Sequence, residues 1–270
     1  MAPVTEETFE LDGQPVHVRR AGDDDVPILY LHGIPTSSFD WLGPLALGGG
    51  IAVDLPGFGR SGKRGDLDYS LGGHADFLDR FLDQLGVERV KLCAHDWGAA
   101  AGLVWAMRDP ARVQRLVIVN GVPLLPGFRW HGAARLASAP WIGEIAVGFG
   151  TRRVLRLLAR RASGADGHVP DAFVDDAAAS FDQGTQRAVL RILRATTPDV
   201  LAAAGEQLGS VMAPALVLWG AEDPYIAARF GAGYAATLGD AKLESVPGAG
   251  HWPWIDQPQL GERIVAHLHG

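Results

Sequence analysis

The stretch Val90-Lys91-Leu92-Cys93-Ala94-His95-Asp96-Trp97-Gly98-Ala99-Ala100-Ala101 decides the reading of this chain. Val90 to Ala94 is a short apolar run, and Ala99 to Met107 is alanine-rich and helix-forming, so Asp96 stands at the turn from a strand to a helix. Such a turn, with a small residue before and a glycine after, presents its central side chain outward at the tip of a sheet. Taken alone, Asp96 is as well explained as a helix cap, a role aspartate often fills. Its meaning depends on the rest of the chain.

Working outward from that turn, strands and helices alternate. Thr8 to Leu11 and Val16 to Arg19 flank Asp12-Gly13, a two-residue hairpin signal. Ile28 to Leu31 is an apolar run ending in His32-Gly33-Ile34-Pro35, followed by a helix near Ser38 and a strand at Ile51 to Val53. Ser70 to Leu85 reads as a helix, Trp97 to Met107 as another, and Leu116 to Val119 as a strand. Buried strands separated by helices imply a parallel sheet. From about Val122 to about Leu208 the rhythm breaks, leaving helical patterns such as Thr151 to Arg161 and Gln186 to Arg194. Strand character returns at Ala215 to Trp219, followed by a helix near Ala227 to Leu238, a strand at Lys242 to Val246 and a closing helix from Pro258 to Leu268.

Two more positions join Asp96. Asp223 follows the strand in Trp219-Gly220-Ala221-Glu222-Asp223-Pro224, and His251 sits in the turn Gly248-Ala249-Gly250-His251 after the last strand. Each has an ordinary explanation, a turn acid and a packed loop histidine. Their order, nucleophile then acid then histidine at strand ends, points to a triad. Glu222 is the alternative acid, and Asn120-Gly121-Val122-Pro123 after the preceding strand offers no carboxylate.

On these motifs the chain resembles the α/β-hydrolase superfamily, in its branch with aspartate nucleophiles, the epoxide hydrolases and haloalkane dehalogenases. The resemblance covers nearly the whole chain. It implies an α/β-hydrolase fold: a mostly parallel eight-stranded sheet with helices on both faces and a helical cap insert. The core is expected at 1–121 and 209–270 and the cap at 122–208. His32-Gly33-Ile34-Pro35 resembles the family's His-Gly-x-Pro segment, which implies backbone N–H groups of Ile34 and Trp97 as the oxyanion hole, with His32 and His95 structural. Gly57-Phe58-Gly59-Arg60-Ser61-Gly62-Lys63 mimics a nucleotide-binding loop, but Arg64 stands where a P-loop needs Ser or Thr and no strong helix follows. It looks instead like the hydrolase family's loop after the fourth strand.

A carboxylate in the nucleophile position suits attack on saturated carbon, because it is ionised without a base and forms an alkyl–enzyme ester. The helix N-terminus is expected to help keep Asp96 charged. His251, oriented by Asp223, then activates water against that ester. An epoxide needs an acid for its oxygen, which related hydrolases supply from cap tyrosines, whereas a halide needs polarised N–H donors. Tyr30, Tyr69, Tyr225 and Tyr234 all lie outside the insert, and Ile34 replaces the asparagine many dehalogenases carry. Trp97, Trp130, His131 and Trp141 are the pocket and leaving-group candidates, each with simple packing or surface exposure as its ordinary alternative. The resulting expectation is epoxide hydrolase first, haloalkane dehalogenase second, and a ligand-binding protein of the same fold with little turnover as a reading of another class. The partner is a small hydrophobic molecule bearing an epoxide or a carbon–halogen bond, with no cofactor and no metal.

The formal net charge of -7 argues against a general nucleic-acid binder. The single cysteine, Cys93, excludes an internal disulfide framework and suggests a reducing compartment. The N-terminus lacks signal-peptide features and no apolar run is long enough to span a membrane, so the expected location is cytoplasmic. Arg152, Arg153, Arg156, Arg160 and Arg161, interleaved with Val154, Leu155, Leu157 and Leu158, read as a basic amphipathic helix with a solvated face, the alternative being an anionic surface or partner.

Overall fold

The computed structural model describes residues 3–164 and 168–270. Two strands, β1 (Thr5–Leu11) and β2 (Gln14–Ala21), form the expected hairpin, turning at Asp12 and Gly13 with φ of 53° and 69°. They are followed by β3 (Ile28–Leu31), α1 (Leu42–Gly48), β4 (Gly50–Val53), α2 (Leu71–Gln84), β5 (Val90–His95), α3 (Asp96–Arg108) and β6 (Val113–Val119). Ser70 accepts from the Gly73 N–H and so caps α2, which accounts for that helix starting one residue later than the apolar pattern.

Between β6 and β7 (Ala215–Gly220) lie α4 (Gly132–Ser138), α5 (Ile142–Gly148), α6 (Arg152–Ala162), α7 (Asp171–Ser180), α8 (Gln183–Ala195) and α9 (Pro198–Ala204). The chain closes with α10 (Arg229–Thr237), β8 (Ala241–Val246), the short α11 (Pro253–Asp256) and α12 (Gln259–His269). The sheet has eight strands in the order β1-β2-β4-β3-β5-β6-β7-β8. Both pairings made by β2 are antiparallel and all others are parallel from β4 to β8.

Strand alternation divides the core between the two faces of the sheet. Leu29, Leu31 and Leu92 pack with Phe77, Leu78 and Phe81 of α2 and Leu103 of α3. Ile28, Tyr30 and Cys93 pack on the other side with Leu45 of α1 and Ile264 and Leu268 of α12. Cys93 is fully buried there, and burial pushes its thiol well above the ordinary range, which makes it an inert core residue.

The glycine loop that mimics a nucleotide motif does other work. The Gly57 carbonyl accepts from Thr185 of α8, Lys63 donates to the Ser180 carbonyl and to Asp182, and Arg187 of α8 donates to the Lys63 carbonyl. This loop therefore ties the sheet to the helices inserted between β6 and β7. Asp176 of α7 adds a second tie, accepting from Ser37 and lying 3.7 Å from the buried Arg19 of β2.

Candidate active site

Asp96 occupies the first position of α3 with φ of 49°, a left-handed conformation that is strained for a residue with a Cβ. The surroundings impose that turn. The Gly98 N–H donates to the His32 carbonyl and the Val122 N–H to the Asp96 carbonyl, so the turn is bonded on both sides. A Cβ on Gly98 would lie 2.5 Å from the His32 carbonyl oxygen, and only glycine permits this approach of helix to strand.

Asp96 is only 7% exposed, and its Oδ1 accepts from the Ile34 N–H at 3.0 Å. Its Oδ2 lies 3.6 Å from His251 Nε2. On the other side of that imidazole, His251 Nδ1 is 2.8 Å from Asp223 Oδ2. The structure thus brings Asp96, His251 and Asp223 together, and Glu222, exposed at the adjacent turn, makes no hydrogen bond to the histidine. Asp223 is held from several sides: Asn120 donates to its Oδ2 at 2.7 Å, and the N–H groups of Tyr225 and Ile226 donate to its Oδ1 at 2.7 and 3.1 Å.

Asn120 is a site residue that sequence reasoning dismissed because it carries no charge. It also accepts from the Gly220 N–H, so it locks the end of β6 to the end of β7, close to where Asp223 leaves the sheet. A polar amide directly after the buried apolar run Leu116 to Val119 was the available signal.

The electrostatics follow from burial and pairing. Burial raises the Asp96 carboxyl above its ordinary value, and the pull of His251 and of the Ile34 and Trp97 N–H groups offsets this only in part. The Trp97 N–H at the helix N-terminus favours the charged carboxylate, as expected, but desolvation is the larger effect. For His251, burial alone would lower the value, but Asp223, by charge and hydrogen bond, and then Asp96 together raise it. Asp223 stays below its ordinary value because His251, Asn120 and the Tyr225 N–H outweigh its own burial.

The two other histidines beside the site have fixed roles. His32 Nε2 accepts from the Leu55 N–H at 2.9 Å, so its Nδ1 carries the proton and donates to the Gly33 carbonyl. His95 Nε2 donates to the His251 carbonyl at 2.9 Å, and burial holds its pKa well below the ordinary range. Both are neutral struts for the loops that carry Ile34 and His251.

A cavity of about 290 Å³ lies over Asp96 and His251, floored by Ile34, Pro35 and Thr36 and walled by side chains of α4 to α8 with Phe128, Tyr225 and Trp252. Trp130 and His131 line it. The Trp130 indole N–H is already bonded to the Thr196 carbonyl at 2.7 Å. His131 caps α4 through Nδ1, and its ring lies 4.6 Å from that of Tyr225. Tyr225 packs edge-on to His251 at 5.1 Å and donates its hydroxyl to the Leu158 carbonyl.

Two candidates are corrected as pocket side chains. Trp141 is 84% exposed, because its positive φ of 65° at the turn into α5 directs the ring away from the cavity. The Trp97 indole is buried in the core edge-on to His74 of α2, its N–H without a hydrogen-bond partner among the described residues, and it is not part of the cavity wall, whereas its backbone N–H bonds Asp96. Trp254, in contrast to Trp252, stacks on Trp41 at 4.4 Å away from the cavity.

Residues 26–258 match the family model for the alpha/beta hydrolase fold. A haloalkane dehalogenase of Mycolicibacterium paratuberculosis is 33% identical over 90% of this chain and 83% of its own. The chain belongs to the α/β-hydrolase superfamily, in its dehalogenase-like branch with an aspartate nucleophile. Haloalkane dehalogenase 1 of Mycobacterium bovis is 34% identical over 74% of this chain and 69% of its own. Among solved structures, the haloalkane dehalogenase DbeA of Bradyrhizobium elkani superposes with a TM-score of 0.85 at 27% identity, covering 99% of this chain and 98% of that one. Its haloalkane dehalogenase relatives place the protein among the hydrolases, and the eight-stranded sheet of the expectation is the family's sheet. Among the described residues no cluster of His, Cys, Asp and Glu could hold a metal ion, and no helix is long and apolar enough to cross a membrane.

Proposed function

We propose that this hydrolase is a haloalkane dehalogenase acting through a covalent ester on Asp96. The observation that carries this reading is the apolar cavity over Asp96, in which no acid is free to protonate an oxygen. Tyr225 is the phenol nearest the triad, and its hydroxyl is committed to the Leu158 carbonyl, with burial pushing its pKa to about 12. Burial, and then the neighbouring His251, hold His131 below the ordinary histidine value, so its protonated form is scarce at neutral pH. A halide leaves as a stable anion and needs no proton, whereas an epoxide oxygen does. The haloalkane dehalogenases among the relatives support the same choice. It reverses the order expected from Ile34, whose side chain offers a halide no donor.

In this reading Asp96 Oδ attacks the carbon that bears the halogen, the carbon–halogen bond breaks, and its electron pair leaves with the halide. His251 Nε2 then takes a proton from a water that attacks the Asp96 carbonyl carbon. The Ile34 and Trp97 N–H groups hold the oxyanion on Asp96, worth roughly 3 kcal/mol per donor in comparable sites. Collapse of the tetrahedral species expels the alcohol oxygen, which takes the proton from His251. The carboxylate returns with net release of one proton and one halide per alcohol formed.

The test is a His251→Gln variant, shown to be folded by circular dichroism, incubated separately with bromoalkanes and epoxides and examined by intact mass. The expected result is one alkyl group per chain with stoichiometric bromide release and no epoxide adduct. Adducts from epoxides alone would move the protein to the epoxide hydrolases, and no adduct from either panel would remove the covalent mechanism.

A further inference from the structure

The helices α4 to α6 carry a surface that the active-site chemistry leaves unexplained. Eight of the twelve exposed large apolar side chains among the described residues fall between Leu136 and Leu158. Ile142, Ile145 and Phe149 are spaced to share one face of α5, at 51%, 63% and 67% exposure, with Trp141 at 84% beside them. Isolated exposed apolar residues are ordinary, but such a concentration marks a contact surface.

The same segment is basic in an acidic protein. Residues 132–162 hold six arginines against one glutamate, in a chain whose formal net charge is -7. Arg152 and Arg156 are paired with Asp171 and Asp175 of α7. Arg153, Arg160 and Arg161 make no ion pair among the described residues, and with Leu157 they share an exposed face of α6.

Part of this surface borders the cavity. Leu136, Val154 and Leu158 line the cavity and are exposed at the same time, so they form its rim. An apolar molecule lodged at that rim is thus already at the entrance to the cavity over Asp96.

We propose that this face docks on an anionic lipid surface, with Trp141, Ile145 and Phe149 entering the interface and Arg153, Arg160 and Arg161 meeting the headgroups. Bare aromatic and branched side chains with guanidinium groups beside them are the chemistry of an interfacial helix. A second copy is the poorer occupant, because two-fold pairing sets this basic face, with six arginines to one glutamate, against itself. Docking in this way delivers lipid-partitioned apolar molecules to the cavity rim, and it stands whether the leaving group is halide or oxygen.

The experiment is cosedimentation of the full chain with vesicles of phosphatidylcholine, with and without phosphatidylglycerol, beside sedimentation velocity of the chain alone. Two variants, Arg153→Gln/Arg160→Gln/Arg161→Gln and Trp141→Ser/Ile145→Ser/Phe149→Ser, change only exposed side chains, and circular dichroism checks their fold. The expected result is binding to the phosphatidylglycerol vesicles that weakens in high salt. The arginine variant should lose on the order of 10²-fold in affinity, and the apolar variant should lose binding too. Absence of vesicle binding by the unaltered chain, equal binding to both vesicle types, or self-association abolished by the apolar variant would each overturn the proposal.

Discussion

Asp96 and His251 are each shifted by the other, and this coupling has a consequence for pH. The carboxyl is raised by burial while His251 restrains it, and the histidine is raised by Asp223 and then by Asp96 against its own burial. In the proposed mechanism, attack needs Asp96 ionised and ester hydrolysis needs His251 neutral. Each requirement fails as pH falls through the raised value, so both losses lie on the acid side. In the proposed ester, Asp96 carries no charge and His251 loses one of its supporting carboxylates. Asp96→Asn reproduces that state. Titration of the histidine by NMR is expected to show a lower His251 pKa in the Asp96→Asn variant than in the parent chain. An unchanged value would mean that Asp223 alone sets the base.

The elements that carry these residues meet through backbone contacts too close for any side chain. Gly98 on α3 is the clearest instance, since a Cβ there would meet both the His32 carbonyl oxygen and, at 2.8 Å, the Leu31 carbonyl carbon. Neither atom belongs to a flexible side chain. Gly98→Ala is expected to destabilise the fold by about 2 to 4 kcal/mol in urea unfolding and to displace the Ile34 N–H from Asp96. Hydrolysis of the ester should suffer more than its formation, since the oxyanion is held by that donor. The turn before α3 was legible because the apolar run, the acid and the glycine occur together. The role of Asn120 was not, because an amide bridging two strand ends depends on which strands are neighbours. The insert was legible as helical, with α6 and α8 readable at Thr151 to Arg161 and Gln186 to Arg194, yet the facing of its helices was not. Trp141 precedes α5 as a plausible pocket aromatic, but its turn conformation puts it outside.

For the whole molecule, the cavity exists because the insert is fastened over the sheet at a few polar points. Ser37 and the buried Arg19 meet Asp176 of α7, while the Gly57 to Lys63 loop grips α7 and α8. Arg19 is 2% exposed and keeps Asp54 and Glu6 as partners when Asp176 is removed. Asp176→Ala should therefore cost only about 1 to 2 kcal/mol in global stability, with its larger effect on the insert. Hydrogen exchange is expected to quicken in α7 before it quickens in β3 or β5, and KM is expected to rise more than kcat falls. Equal acceleration across sheet and insert would show that the two open as one unit.

The sequence by itself determined the alternation of strands and helices, the long helical insert and the chain order of Asp96, Asp223 and His251. These are properties of local pattern and of connectivity, which a linear reading contains. Only the tertiary structure decided which side chains surround Asp96, because that depends on how amphipathic helices rotate and pack over a sheet. It moved Trp141 and the Trp97 indole out of the pocket, turned a glycine loop that looked like a phosphate cradle into a fastening for the insert, and committed the Tyr225 hydroxyl to a backbone carbonyl. Burial, finally, is a sum over the whole fold, and burial is what raises the carboxyl of Asp96.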